Sequence, residues 1–152
     1  ELGARIISPL EKLYLTIKKL NLKIVENKSY VKKAFLKGIP VEGLNNLQNQ
    51  LFGLEINFEK LNAIDFKKGC YVGQENTARM KLKNKIRRQL MSIKTQKDIK
   101  IGDEIKFKDS VIGKVLIDKP YPFALIKLFD PEFSEFKNKK LKINNKIVEI
   151  II

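Results

Sequence analysis

Short apolar or alternating runs, separated by turn-forming residues, fill the chain after Asn84. Turn signals such as Gly102-Asp103 lie between the runs, and Asn144-Asn145 between two apolar arms is typical of a tight hairpin. Short strands at regular spacing predict a small antiparallel sandwich or barrel over residues 85–152. The strands are predicted at residues 86–93, 104–107, 111–117, 123–128, 141–143 and 146–152.

The preceding part of the chain carries a helical pattern instead. A first helix is predicted to begin at Ser8-Pro9 and to bury one apolar face. The residues of that face are Leu10, Leu13, Tyr14, Ile17 and Leu20. Further helices are predicted at residues 27–37, 58–64 and 71–83. The fold class is therefore α+β, with a mixed segment at residues 1–84 followed by a small antiparallel sandwich or barrel at residues 85–152.

The chain has no His and a single Cys, Cys70. The lack of imidazole excludes Ser-His-Asp and Cys-His catalysis. One Cys cannot form an internal disulfide or a Cys-rich metal site, so we predict no metal site. The lack of a Cys pair is typical of a reducing compartment, and no apolar run approaches the ~20 residues that a membrane helix needs. We expect a soluble cytoplasmic protein without a membrane partner.

Positive charge is concentrated in one segment. The net charge is +14, from 31 basic and 17 acidic residues, and residues 60–90 hold nine basic and two acidic residues, a net +7. Abundant Lys beside Ile and Asn is also typical of an AT-rich genome. A local excess of this size nevertheless favours a polyanionic partner, either nucleic acid, a phosphorylated ligand or a polyglutamate tail.

Cys70 lies in the most distinctive segment of the chain, Lys68-Gly69-Cys70-Tyr71-Val72-Gly73-Gln74-Glu75. A predicted helix N-terminus and neighbouring lysines are both expected to lower the pKa of its thiol, which favours a reactive thiolate over a half-buried structural Cys. Gly69 and Gly73 are expected to serve a turn and close packing. Gln74 and Glu75 are expected to cap the helix, and Tyr71 to lie in the core or to line a cavity.

The same segment resembles the K-G-C-[FY]-x-G-Q-E signature of the YgfZ family of folate-binding proteins, relatives of the glycine-cleavage aminomethyltransferase, or T-protein. Residues 2–5, 37–40 and 61–66 also resemble segments of this family, and the strands after residue 85 resemble its C-terminal barrel. The resemblance implies the C-terminal portion of an aminomethyltransferase-like fold. It also implies that the N-terminal half of the family protein is absent from this chain.

The resemblance implies a function as well. Members of the family, including the mitochondrial Iba57 branch, assist the assembly or repair of [4Fe-4S] clusters in client enzymes, among them enzymes that modify tRNA, and depend on tetrahydrofolate. We therefore expect tetrahydrofolate or a derivative as the cofactor, iron–sulfur client enzymes or cluster carriers as partners, and Cys70 as the residue associated with activity. A cluster would be held by a partner rather than by this chain.

Three further residues are implied by similarity to the T-protein. Glu55 occupies the position of a carboxylate that pairs with the pterin, although Gly53 replaces the Pro of that motif. Arg87 or Arg88 occupies the position of an Arg at the barrel entrance. Strand alternation predicts that the two arginines point to opposite faces, so that at most one lines a given site. A solvated loop carboxylate remains the alternative for Glu55.

Two other functions stay open at this point. The first is a folate-dependent one-carbon transferase like the T-protein, against which the Cys-containing signature argues. The second is a basic RNA-binding barrel, since small barrels often bind nucleic acids. The basic segment holds Phe66 and Tyr71 but no repeated stacking platform, which disfavours nucleic acid as the partner.

Overall fold

The computed structural model describes residues 3, 6–69, 72–83 and 86–151. The helices are α1 (Leu10–Lys19), α2 (Asn27–Leu36), α3 (Gln74–Leu82) and the short α4 (Phe133–Phe136), with one 3-10 turn at Leu44–Leu47. The strands are β1 (Arg88–Thr95), β2 (Glu104–Phe107), β3 (Ser110–Ile117), β4 (Phe123–Lys127), β5 (Leu141–Ile143) and β6 (Lys146–Ile151). Among the described residues, none of the helices combines the length and the apolar character needed to cross a bilayer.

The six strands form a closed antiparallel barrel in the order β1-β4-β3-β2-β5-β6. Closure comes from β1, which pairs with β4 along its first half and with β6 along its second. The β5–β6 hairpin turns at Asn144, whose φ of 50° is in the left-handed region that Asn tolerates. The predicted antiparallel barrel and its tight hairpin are confirmed, with strand bounds that differ by at most two residues.

The barrel interior is the main hydrophobic core. It contains inward-facing aliphatic residues from all six strands, together with Ile99 and with Phe136 of α4. Alternation produces this core, because every second side chain of a strand points inward. In β5 and β6, Leu141, Ile143, Val148 and Ile150 are buried, while Lys142 and Glu149 between them are exposed. Ser92 of β1 is also buried. Ser92 has a partner in the barrel wall, since its hydroxyl donates to the carbonyl of Ile151.

A second core cluster joins α2 to the barrel. Phe35 of α2 and Leu47 of the 3-10 turn pack with Leu90, Ile117 and Phe123 of the barrel strands. Phe35 contacts Phe123 edge-on, with ring centroids 5.6 Å apart. The predicted helix at residues 27–37 is confirmed, and its apolar side is buried by the barrel.

The buried face predicted for the first helix is wrong for the described part of the chain. Helix α1 contains no buried residue, and Leu10 and Tyr14 are 65% and 59% exposed. The spacing of apolar residues fixes which face of a helix can be buried, but burial also needs a second surface. The helix begins one residue later than predicted, with Pro9 at its N-cap, and no side chain caps it.

Two other helix predictions need correction. Residues 53–62 form successive turns instead of a helix, and Asn57 and Asn62 adopt positive φ angles of 66° and 55° that interrupt a right-handed helix. Helix α3 starts at Gln74 instead of residue 71, because Gly73 before it is left-handed with a φ of 83°. The boundary predicted near residue 85 lies at residues outside the described ranges and stays a prediction.

Candidate functional site

Glu55 lies in the turn segment that precedes α3, and its side chain is buried, with the residue 3% exposed. One carboxylate oxygen, Oε2, accepts a hydrogen bond of 3.1 Å from the backbone N–H of Phe52. The N–H of Glu55 donates in turn to the carbonyl of Phe52 at 2.9 Å. The carboxylate is therefore part of a defined local turn and is not the solvated loop group of the alternative interpretation.

Arg88 supplies the charge partner of this carboxylate. Its Nε and Nη2 atoms both lie 2.9 Å from Glu55 Oε1. The two side chains differ in environment, since that of Arg88 is 45% exposed and that of Glu55 is 4% exposed. A buried carboxylate is tolerated when it is paired and hydrogen-bonded, and both conditions hold here. The pair leaves part of the guanidinium open to solvent.

Backbone contacts hold the turn segment against β1. The N–H of Leu90 donates to the carbonyl of Glu55 at 2.7 Å. The Asn57 side-chain amide donates to the carbonyl of Leu90 at 3.1 Å, and the Gln89 side chain donates to Asn57 Oδ1. Glu55 and Arg88 are thus fixed by the backbone as well as by their ion pair.

A cavity of about 550 Å³ opens beside the ion pair. It is lined by Arg87, Arg88, Lys127, Phe129 and Asp130. The prediction that at most one of the two arginines lines a given site is wrong. Strand β1 begins at Arg88, so Arg87 precedes the strand and alternation does not apply to it.

The lining of this cavity combines three cations, one carboxylate and the ring of Phe129, which is 49% exposed. Arg and Lys bind carboxylates or phosphates through charge-assisted hydrogen bonds. An exposed aromatic ring offers a flat apolar surface for a planar heterocycle. The cavity therefore suits a ligand that has both an aromatic ring system and an anionic part.

The Cys-containing segment is only partly described, because Cys70 and Tyr71 lie outside the described residues. Lys68, Gly69 and Val72 are exposed, and Glu75 lies in the first turn of α3, where its charge favours the helix dipole as predicted. The capping predicted for Gln74 and Glu75 is wrong, because the N-cap of α3 is Gly73 and no side-chain hydrogen bond caps the helix. Helix α3 starts four residues after Cys70, whereas the predicted helix starts one residue after it. The helix N-terminus is therefore further from Cys70 in sequence than predicted.

An ion pair connects α3 to the turn segment. Lys81 Nζ lies 2.5 Å from Glu59 Oε1 and 5.7 Å from the centroid of the Phe66 ring. Both charged side chains are about two-fifths exposed, so the pair contributes little to stability. It links α3 to the segment that carries Glu55. Sequence reasoning missed this contact, since 22 residues separate the partners.

No family model matches the chain. Among curated proteins it is similar to the tRNA-modifying protein YgfZ of Buchnera aphidicola, with 29% identity over 91% of this chain and 49% of the relative. It is also similar to the mitochondrial iron–sulfur cluster assembly factor IBA57 homolog of Neurospora crassa, with 41% identity over 41% of this chain and 14% of the relative. Human IBA57 is 38% identical over 43% of this chain and 18% of its own length. The chain is similar to proteins named YgfZ and IBA57.

The matched part of the chain spans 49% of the length of the YgfZ protein and 14% of the length of the Neurospora IBA57 homolog. Two of its candidate positions, Glu55 and Arg88, meet in space although 33 residues separate them. Among the described residues no group of three His, Cys, Asp or Glu side chains could hold a metal ion.

Sequence reasoning missed Lys127, Phe129 and Asp130, which line the cavity. The pairing of Arg88 with Lys127 across β1 and β4 brings them to the arginines. A turn signal, Phe129-Asp130-Pro131, follows the predicted strand and could have placed Phe129 and Asp130 at a strand end.

Proposed function

We propose that the chain is a tetrahydrofolate-dependent accessory factor for the assembly or repair of [4Fe-4S] clusters in client enzymes, acting through Cys70. The observation that carries the proposal is its similarity to proteins named as iron–sulfur cluster assembly factors and as a tRNA-modifying protein. Those names belong to the relatives, and we extend them to this chain as a hypothesis. The clients would include tRNA-modifying enzymes, and a cytoplasmic location remains part of the hypothesis.

The cavity beside Glu55 and Arg88 supports a folate ligand on chemical grounds. Tetrahydrofolate has a planar pterin with adjacent N–H donors and an anionic glutamate tail. Arg87, Arg88 and Lys127 would bind the carboxylates, Asp130 would accept from the pterin donors, and the Phe129 ring would pack on the heterocycle. When bound, the folate would supply one-carbon or redox chemistry.

Glu55 takes a different role in this proposal from the one that its resemblance implies. Its carboxylate is buried and already accepts from Arg88 and from the Phe52 N–H. We assign it to the positioning of Arg88, whose exposed part faces the ligand. A carboxylate that fixes a guanidinium in this way reduces the entropy that the Arg would lose on binding.

Folate binding is tested by anaerobic calorimetry with tetrahydrofolate on the whole chain. Arg88→Gln removes a charge-assisted contact and should weaken binding by at least about 10-fold. Arg79→Gln is the matched control, because Arg79 is an exposed Arg of α3 outside the cavity. It should change the affinity by less than about 2-fold. No binding by the unmodified chain, or an equal loss in both variants, would refute the cavity as the folate site.

The role of Cys70 is tested by complementation in cells that lack their own factor. Cys70→Ala and Cys70→Ser should both fail to restore activity of a [4Fe-4S] tRNA-modifying enzyme, because neither side chain forms a thiolate. Val72→Ala, at a fully exposed neighbouring position, should restore it. Restoration by Cys70→Ala at equal protein level would refute the proposed role of the thiol.

A further inference from the structure

A second and larger cavity lies at the opposite end of β1 from Arg88. Its volume is about 940 Å³, and it is formed by the loops that follow β1 and β3, with Lys146 of β6 at its side. Because Arg88 is the first residue of β1 and Lys94 and Thr95 are its last two, the length of the strand separates this cavity from the candidate site. Neither the resemblance nor the relatives' names assign it a function.

Lysines with no partner surround this cavity. Lys94, Lys97 and Lys119 line it and are exposed, and their ammonium groups form no ion pair or hydrogen bond with the described residues. Lys146 also lines it and donates to the backbone carbonyl of Asp98. Asp98 and Asp118 are the acidic members of the lining. Unpaired cations around a concave surface attract an anion more strongly than the same charges on a flat one.

A smaller cavity of about 320 Å³ adjoins the first. The two share Lys94 to Lys97 and Lys146, and the smaller one adds Lys140 and Glu149. Lysines therefore lie on both sides of the segment that follows β1, spread over more than the size of a single anion. This arrangement favours a chain of phosphates over one small ligand.

An aromatic ring completes the lining of the larger cavity. Tyr121 lies between Pro120 and Pro122, is half-buried, and stacks on Phe35 with ring centroids 4.9 Å apart. The prolines limit the backbone freedom of this loop, and the stacking fixes the ring. An aromatic side chain held beside unpaired lysines is the combination that binds single-stranded nucleic acids, where bases stack and the backbone is neutralised.

We propose that this basic groove, formed by residues 94–99, residues 118–122 and Lys146, binds a single-stranded nucleic acid segment. Its lining contains lysines but no Arg, which suits sequence-independent contacts with phosphates better than bidentate recognition of carboxylates. Its concave shape argues against a flat anionic membrane as the partner. The groove lies outside the basic segment at residues 60–90, and this inference does not depend on Cys70 or on folate.

The test uses fluorescence anisotropy with a labelled 12-nucleotide RNA and the whole chain at several salt concentrations. A groove variant carries Lys94→Gln, Lys97→Gln and Lys119→Gln. A control variant carries Lys106→Gln, Lys114→Gln and Lys142→Gln at exposed barrel positions outside both cavities. Each variant lowers the net charge of +14 by three, so the two have equal charge.

We expect the groove variant to bind at least about 10-fold more weakly and to lose about 2 from the slope of log affinity against log salt, because each phosphate contact on a single strand contributes ~0.7. The control variant should bind within about 2-fold of the unmodified chain. Equal losses of RNA affinity in the two variants would show that binding depends on the overall charge and would overturn the proposal. Failure of the unmodified chain to bind RNA would do the same.

Further binding measurements identify the class of partner. A DNA oligonucleotide of equal length decides between the two nucleic acids, and either result agrees with the proposal. Equal competition by a polyglutamate peptide, or tighter binding to anionic phosphatidylserine vesicles, would overturn it. Cys70→Ala should bind RNA as the unmodified chain does, so failure of this proposal and failure of the proposed cluster function are distinguishable.

Discussion

Glu55 and Arg88 illustrate what a single buried charge needs from the residues around it. Glu55 is 3% exposed, and its carboxylate accepts hydrogen bonds from the Phe52 N–H and from a guanidinium 33 residues further along the chain. Similarity to the T-protein selects both positions from sequence. It does not reveal that they contact each other, because that contact depends on how the turn segment packs on β1.

Glu55→Ala should lower the free energy of unfolding by about 2 kcal/mol. The substitution removes the part-buried hydrogen bond that the Phe52 N–H donates to the carboxylate, and a hydrogen bond to a charged group contributes about 1.5–3 kcal/mol. Arg88 adds little to this cost because its side chain is 45% exposed and water can solvate it. Urea denaturation measures the change.

The matched control is Glu59→Ala, which removes the partly exposed ion pair with Lys81. It should cost less than about 1 kcal/mol, as exposed pairs do. Equal losses in the free energy of unfolding for the two variants would contradict the burial of Glu55.

A substitution that adds a single Cβ atom at Gly113 tests the packing of the barrel. A Cβ there would lie 2.7 Å from Ile126 Cδ1 and 2.8 Å from the carbonyl oxygen of Leu125. Gly113→Ala should therefore destabilise the protein by about 1–3 kcal/mol, since a backbone oxygen cannot move away easily. Gly69→Ala, where a Cβ would meet nothing within 4 Å, should change stability by less than about 0.5 kcal/mol in the same denaturation measurement. A neutral Gly113→Ala would contradict the register of β3 on β4.

Among the secondary-structure elements, strands were predicted from sequence more successfully than helices. All six strands appear within two residues of the predicted bounds, because alternation and turn residues are local signals. The four-residue helix α4 was missed, because a single helical turn is too short to show the helical spacing of apolar residues. The order of strands in the barrel was not predictable either, because it depends on pairing between residues far apart in the chain.

Helices α1 and α2 show that the more amphipathic of two helices is not always the one that is buried. Phe35 of α2 packs in the cluster it shares with the barrel, whereas Tyr14 of α1 is 59% exposed. Phe35→Ala should therefore cost about 3–5 kcal/mol of stability, and Tyr14→Ala less than about 0.5 kcal/mol. Thermal and urea unfolding of the two variants measure the difference. A large loss in Tyr14→Ala would show that α1 is covered in solution, and sedimentation would then identify whether a second copy covers it.

For the whole molecule, the dominant electrostatic property is the net charge of +14. Charges of one sign repel each other and destabilise the compact state, and salt screens this repulsion over a Debye length of ~10 Å at 0.1 M. The melting temperature should therefore rise by about 2–4 °C between 0.05 and 0.5 M KCl, the shift that about 1 kcal/mol produces at this chain length.

Differential scanning fluorimetry measures that shift. The variant with Lys106, Lys114 and Lys142 changed to Gln has three fewer positive charges and should show a smaller rise. A melting temperature that falls with salt would mean that specific ion pairs, and not repulsion, dominate the electrostatics of the folded chain.

The pairing of β1 with both β4 and β6 has a consequence for the order of folding. The β2–β3 and β5–β6 hairpins join neighbouring segments and can form early, whereas Ser92 and Ile151, which face each other in the closing pair, are 59 residues apart. Long-range pairs of this kind raise contact order and slow folding. Until β6 docks, the second half of β1 has an unpaired edge that can recruit another chain. Aggregation during refolding should therefore start at β1, and conditions that speed β6 docking should suppress it.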